Sequence, residues 1–511
     1  MTLVRSRVRS TPPALLVGVV GVLAALCLIP VGFVVATAAT TGWDVLAPLV
    51  FRPRVGELLA NTIWLVLLGI PLSIVLGVGA AWLVDRTDVP LRRFWTIAFA
   101  APLAVPSFVA SYGWVSLIPS FGGLAGGTLI AVLSYSALVY LPVLASLRGL
   151  DPALEDAAAA TGAHPLRVFT TVVLPQLRPA IVGGALVVGL HLLSEYGAFA
   201  LIRFDTFTTA IVVQYQSTFA GPAASALGIV LALLCLVLLA GDALLRGRHR
   251  LSRVGSGVAR LVQHGRLGAW RWPLVLMGAG FLALAVGVPA LSVGRWFLAD
   301  PTATDPGDLA SALLQTIVYA AAGGVVTVAV AAPVAWLSVR YPGRMSRALE
   351  GACIVASSLP VIIVALALVT VSLRLVPALY QTPATVLMAY TIVFLPRAIV
   401  SLRAGIAQLP PVLGDVAHSL GATPLRTFAR VLAPLLISAA GAAFALVALG
   451  AANELTATLL LAPNGTVTLA TQFWSKASEV AYSQAAPFAA LLILFSIPAV
   501  ALLLRQTRRS R

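Results

Sequence analysis

The chain has 511 residues, 60% of them hydrophobic and only 10% charged, with a formal net charge of +16 and a mean hydropathy of +1.00. That composition excludes an ordinary soluble domain and leaves a polytopic membrane protein. The positive charge comes from arginine, with Lys476 the sole lysine. The arginines sit in short segments between apolar runs, where they set topology, so no nucleic-acid partner is expected.

Arg5, Arg7 and Arg9 precede the first apolar run, which extends from about Pro13 to Ala38. It is too long for the apolar part of a secretory signal and reads as an uncleaved first span. Runs able to cross a bilayer as helices lie near 14–38, 58–84, 94–118, 123–147, 180–202, 223–245, 273–296, 310–338, 349–373, 380–402, 436–461 and 486–504, twelve in all. Gly122, Gly123, Gly126 and Gly127 mark the turn inside 94–147, as Pro377 and Pro383 do inside 349–402. Cys27, Cys235 and Cys353 fall in apolar spans without metal-ligand spacing and read as packing residues. With the N-terminus inside, 27 of the 33 basic residues fall on the inner side and 6 on the outer side. This asymmetry predicts both termini in the cytoplasm.

The chain is an internal duplication. Residues 156–175 read DAAAATGAHPLRVFTTVVLP and residues 415–434 read DVAHSLGATPLRTFARVLAP. Asp156, Gly162, Pro165, Arg167, Phe169 and Pro175 recur as Asp415, Gly421, Pro424, Arg426, Phe428 and Pro434, each displaced by 259 positions. Upstream the displacement is 254: Asn61-Thr62-Ile63 parallels Gln315-Thr316-Ile317, Ala81-Trp82-Leu83 parallels Ala335-Trp336-Leu337, and Tyr140-Leu141-Pro142 parallels Phe394-Leu395-Pro396. The halves are read as 1–245 and 272–511, joined by a basic cytoplasmic linker at 246–271. Six spans in each half, an even number, make them parallel repeats about an axis along the membrane normal.

The repeated polar loops span 151–179 and 410–434, each between the fourth and fifth spans of its half. Asp151-Pro152 reads as a helix cap followed by proline at the first helical position. A short helix over 153–161 should follow, stopped by Gly162 in a left-handed conformation. A second helix starts at Pro165, with Thr423-Pro424 the better-capped equivalent. The small Ala157–Ala160 face permits close approach of another surface. A single such elbow could merely connect spans; two at the same topological place predict a docking element.

Glu195 and Glu454 are also 259 positions apart, each about 15 residues into a span, or about 22 Å of helix. A lipid-facing carboxylate there costs about 2.5 kcal/mol or more, so each should face the interior or a water-filled path. Ser194, Tyr196 and Asn453 add polar character, and His191 is one turn from Glu195. Two roles stand side by side: lining the translocation path, or locking the structure. No ligand spacing supports a metal site, and none is assigned.

The pattern Asp156-Ala157-Ala158, then Gly162, then Val172-x-Leu174-Pro175 resembles the EAA loop of ABC importer permeases. In the second copy Val416-Ala417 replaces the alanine pair and Ala433 precedes Pro434. The resemblance covers nearly the whole chain and implies an all-α type I importer permease with both halves fused. It implies that Asp156, Ala157, Ala158, Gly162, Pro175, Asp415, Ala417, Gly421 and Pro434 contact two copies of a cytoplasmic P-loop ATPase. It also implies an external or periplasmic substrate-binding protein and a bacterial plasma-membrane location. A P-loop needs Gly-Lys before Ser/Thr, whereas Lys476 follows Ser475. ATP is therefore expected on the partner, with no cofactor and no enzymatic activity in this chain.

Glu195-Tyr196-Gly197 with Asp205-Thr206-Phe207-Thr208-Thr209-Ala210, and Glu454-Leu455-Thr456-Ala457-Thr458 with Thr468-Leu469-Ala470-Thr471, look like the ferric-iron branch of fused permeases. Thiamine and aminophosphonate permeases are close relatives of that branch, and polyamine and oxyanion systems more distant ones. A twelve-helix secondary transporter fits length and repeats equally but gives no reason for the repeated elbow. A membrane-embedded enzyme lacks any evident nucleophile–base pair.

Overall fold

The structure, a computed structural model, describes residues 12–162, 164–218, 221–246, 265–356, 358–410 and 412–508. Most of the expected linker, 247–264, lies outside the described residues, as do Arg5, Arg7, Arg9, Arg509 and Arg511. Among the described residues the fold is helical, with one isolated bridge between Thr87 and Gly265. Eight helices among the described residues are long and apolar enough to cross a membrane, and a bent pair counted as one span makes a ninth.

The bent pair is the first expected span: Ala14–Cys27 and Ile29–Thr41 meet at 49°. Pro30 at the start of the second segment withholds an amide donor there. Two other expected spans are broken for a related reason. The run 94–118 resolves into Arg92–Ala98, a 3-10 turn Ala101–Ala104 and Ser107–Leu117, with Pro102 and Pro106 at the joints. The run 349–373 resolves into Arg344–Ala356 and Val361–Leu375, the latter entered from Pro360. The last expected span falls in Tyr482–Arg508. The connections that follow Glu195 and Glu454 hold two helices not anticipated from hydropathy, Phe207–Thr218 and Leu469–Ser478.

The helices pack as two compact units whose membership crosses the sequence repeats. One comprises residues 43–309 and 472–511. Its centre is the pair Pro53–Arg86 and Gly123–Gly149, which approach closely at Gly77, where a β-carbon would lie 2.8 Å from Val139 Cβ. Gly184 of Leu174–Ser194 meets the same stretch, 2.9 Å from Val139 Cα by the same construction. The first span of the second repeat joins this unit. A β-carbon on Gly113 would stand 2.7 Å from Pro289 Cα, Ser116 and Ser292 hydroxyls lie 2.5 Å apart, and Tyr112 donates to the Tyr482 carbonyl at 2.8 Å.

The other unit comprises residues 1–42 and 310–471. Here the first span of the first repeat packs on Arg344–Ala356 and Val361–Leu375 of the second repeat. Cys27 and Cys353 are both buried at this contact. Gly324 lies against Phe444 and Gly405 against Ala439, which brings Pro306–Arg340 and Pro383–Ala407 onto Ala433–Ala452.

Candidate functional site: coupling loops and intramembrane acids

Each repeated loop folds as an elbow. In the first, Asp151 Oδ1 accepts from the Ala153 amide at 3.0 Å and opens the helix Pro152–Ala160. Gly162 then takes φ +79°, and a second helix, Pro165–Val168, runs through a π turn into Leu174–Ser194. The second copy repeats this with Val412–Ser419, Gly421 at φ +78°, Pro424–Thr427 and Ala433–Ala452. A β-carbon at either glycine would meet nothing within 4 Å. The backbone conformation, not crowding, therefore calls for glycine. Asp156 and Ala157 are exposed on the first helix, whereas Ala417 is buried on the second. The side chain of Asp415 lies outside the described residues.

Both elbows rest on a tryptophan of the second long helix in their repeat. Trp82 meets Phe169 edge-on with ring centroids 4.6 Å apart, and Trp336 meets Phe428 at 6.1 Å. All four residues belong to the repeat. Their pairing appears only when the chain folds.

The first elbow has an additional anchor. Arg86, its side chain 2% exposed, donates through Nη2 to Glu155 Oε1 at 2.8 Å and to the Leu147 carbonyl at 3.0 Å. Its Nη1 donates to Asp85 Oδ2 at 2.6 Å. Asp85 also pairs through Oδ1 with Arg92 at 3.2 Å and Arg148 at 3.4 Å. Burial of such charges is tolerable only because each meets opposite charge and hydrogen bonds. The cluster ties the loop helix, through Glu155, to the ends of Pro53–Arg86 and Gly123–Gly149. The second repeat is built differently. Gly414 stands where Glu155 would be and Val339 where Asp85 would be. Arg340 lies over the Trp336 ring at 5.3 Å and donates to the Leu409 carbonyl at 3.3 Å, while Arg403 pairs with Glu350.

The two acids sit at helix breaks. Leu174–Ser194 ends just before Glu195, and a short helix Gly197–Leu201 follows. Ala433–Ala452 ends just before Asn453 and Glu454, and Thr456–Leu461 follows. Glu195 Oε1 accepts from the Ala198 amide at 2.9 Å, and Glu454 Oε1 from the Ala457 amide at 3.2 Å. Thr208 donates to the Glu195 carbonyl at 2.6 Å, and Thr458 to the Glu454 carbonyl at 2.7 Å. Each carboxylate thus caps the amides freed by the break, a charge-assisted arrangement. Glu195 Oε2 also accepts from Ser107 at 2.8 Å and from the Tyr135 hydroxyl. Both acids are partly exposed. Tyr196 is buried against Trp474, ring centroids 5.1 Å apart, and Asn453 donates to the Leu449 carbonyl at 3.0 Å. His191 Nδ1 lies 2.8 Å from the Val187 carbonyl, its ring beside Tyr135.

Glu195 and Glu454 belong to different packing units. Near Glu454 the sequence reading missed a residue. Arg397, one of the 27 basic residues assigned to the inner side, lies well inside the helix Pro383–Ala407. Its guanidinium sits 4.9 Å over the Phe394 ring and interacts electrostatically with Glu454. Gly450 makes room for it, since a β-carbon there would stand 2.8 Å from Arg397 Nη1. A single arginine in an apolar run was the available signal.

Of the repeated Asn61-Thr62 and Gln315-Thr316 pairs, Asn61, Gln315 and Thr316 acquire a role. Asn61 donates to the Asp205 carbonyl at 3.0 Å, and Arg54 pairs with the Asp205 carboxylate at 2.6 Å. Gln315 accepts from the Val467 amide at 2.9 Å and Thr316 from the Leu469 amide at 2.8 Å. Asn61 and the Gln315-Thr316 pair fasten the segment that returns after the acid, whereas the buried Thr62 hydroxyl has no hydrogen-bond partner among the described residues. Thr206 and Thr468 start the next helices, each amide donating at 2.9 Å to the hydroxyl three residues on, Thr209 or Thr471.

Residues 69–250 and 323–511 each match the family of binding-protein-dependent transport system inner membrane components. The chain belongs to this family. It is a fused permease with two copies of the family's transmembrane unit, the membrane component of an importer that works with an ATPase and a substrate-binding protein. The chain is 34% identical over 479 residues to the Fe(3+)-transport system permease protein FbpB 2 of Haemophilus influenzae, a match covering 92% of this chain and 94% of that protein. The sulfate transport system permease protein CysW of Synechocystis is 29% identical over 201 residues, 35% of this chain and 72% of that protein. Sulfate permease CysT of Salmonella typhimurium is 28% identical over 236 residues, 42% of this chain and 84% of that protein.

Proposed function

We propose that this permease carries ferric iron, delivered by an external binding protein, with both termini cytoplasmic and two ATPase subunits docked on the two elbows. The full-length identity to the Fe(3+) permease carries the reading on substrate. The helices Pro152–Ala160 and Val412–Ser419 serve as the docking elements, with Asp156, Ala157, Ala158, Gly162 and Pro175 in one and Asp415, Ala417, Gly421 and Pro434 in the other. Glu195 and Glu454, with Ser194, Tyr196 and Asn453 beside them, line the path. Partial exposure of both carboxylates at helix breaks supports that role. A cationic substrate gains from carboxylates along its route.

An oxyanion is the second reading. The sulfate relatives and Arg397 beside Glu454 favour it. Uptake of radioactive iron, sulfate and thiamine in a strain lacking the chain, with and without restoring it, separates the substrates. Iron uptake alone should return. Restoration of sulfate uptake would transfer the assignment to the oxyanion.

A further inference from the structure

Two apolar cavities lie side by side on the helix Pro53–Arg86, within one packing unit. One, of about 400 Å³, is bounded by Pro53–Arg86, Gly123–Gly149 and Arg271–Leu282. The other, of about 490 Å³, runs from the same helix to Phe169 and Leu174 at the first elbow. Val75, Gly79 and Trp82 line both, so the pair straddles Trp82. Two polar side chains at the first cavity bond within the protein, and Ser136 also lines it. Thr87 donates to the Leu83 carbonyl at 2.5 Å and Tyr140 to the Thr96 carbonyl at 3.1 Å. Such predominantly apolar walls offer little to water or to a polar substrate.

The depth of the first cavity fits one leaflet. From Val75 to Thr87 its wall follows about 18 Å of helix at 1.5 Å per residue, against about 15 Å for half a bilayer core. Its mouth is marked as an interface by Trp270 and Trp272, 71% and 66% exposed. Arg266 and Arg271 are exposed at the same end. Arg266 is held there because Gly265 bonds to the Arg86 carbonyl at 2.9 Å and the Leu267 amide donates to Asp88 at 2.9 Å. Arg271 is one helical turn from Leu274, which lines the cavity.

We propose that this double groove is a binding site for one anionic phospholipid, its two acyl chains seated on either side of Trp82 and its phosphate met by Arg266 and Arg271. Because Trp82 carries Phe169 of the first elbow, the lipid braces the junction between that elbow and the membrane core. The second repeat's elbow is held instead through Trp336 and Arg340.

Gly79→Leu tests the site without disturbing the fold. A β-carbon at Gly79 meets nothing within 4 Å, and leucine is the better helix former. The full chain is purified in detergent from membranes containing phosphatidylglycerol and phosphatidylethanolamine, washed, and weighed by native mass spectrometry. The wild type should retain one phosphatidylglycerol after bulk lipid is gone, and Gly79→Leu should lower its occupancy at least fivefold. The double variant Arg266→Ala, Arg271→Ala should hold lipid but lose the preference for phosphatidylglycerol. Loss of all lipid in step with the bulk, or unchanged occupancy in Gly79→Leu, would overturn the proposal. Retention with no headgroup preference in the wild type would overturn the anionic part.

Discussion

Cys27 of the first repeat and Cys353 of the second are both buried where the helix Ala14–Cys27 packs on Arg344–Ala356. The first apolar helix therefore packs with helices more than 300 positions away rather than with its own half. Oxidation by a membrane-permeant catalyst such as copper phenanthroline should join the two cysteines. With a protease site placed in 247–264 and Cys235 replaced by alanine, the cleaved, oxidised protein should run as one 53 kDa species until reduced. Separation of the fragments without reductant would contradict this packing.

Glu155→Gln should loosen the first elbow. Breaking a buried ion pair costs about 3–5 kcal/mol, and the partial exposure of Glu155, 18% against 2% for Arg86, reduces this to about 1–2 kcal/mol. The expected result is a protein that accumulates normally, transports more slowly, and consumes more ATP per substrate moved. Measurement of uptake and ATP hydrolysis together checks the ratio. An unchanged ratio would remove Glu155 from coupling.

Gly162 and Gly421 should rank substitutions by their tolerance of positive φ. Asparagine adopts that conformation far more readily than alanine, and valine least of all. Since no neighbour crowds either site, the Ala variants should lose about 1 kcal/mol at the turn. Uptake in the order Gly, Asn, Ala, Val is the expected outcome; an order following side-chain volume alone would point to packing instead.

Much of this was legible in the sequence. The helix–Gly–helix elbows could be read because caps, proline and a left-handed glycine are local, and Asp151, Pro152 and Gly162 act within a few residues of one another. Glu195 and Glu454 could be paired because they share one displacement. The helix breaks at Glu195 and Glu454, and those at Pro106 and Pro360, were hidden because the chain stays apolar through them. The exchange of first spans leaves no periodic mark, since a helix facing a distant partner has the same composition as one facing its neighbour. The Arg86–Glu155 pair was invisible for the same reason: two charges 69 positions apart meet only in the fold.

Glu195→Gln with Glu454→Gln should preserve folding and reduce transport. Each glutamine keeps one carbonyl oxygen to accept from Ala198 or Ala457, so the short helices retain a cap. What is lost is charge and, at position 195, the oxygen that accepts from Ser107 and Tyr135. Uptake scored against the amount of protein in the membrane distinguishes the roles. Wild-type uptake per molecule would remove the acids from the path, and failure to accumulate would make them structural locks.

Reconstitution into vesicles with the ATPase enclosed and the iron-loaded binding protein outside gives the decisive result. Iron accumulation should require ATP and the binding protein, and should fall at least tenfold in the Gly162→Asp, Gly421→Asp double variant while the chain still inserts. Accumulation driven by an ion gradient without ATP, or an undiminished rate with normal ATPase binding in the double variant, would contradict coupling through the two loops.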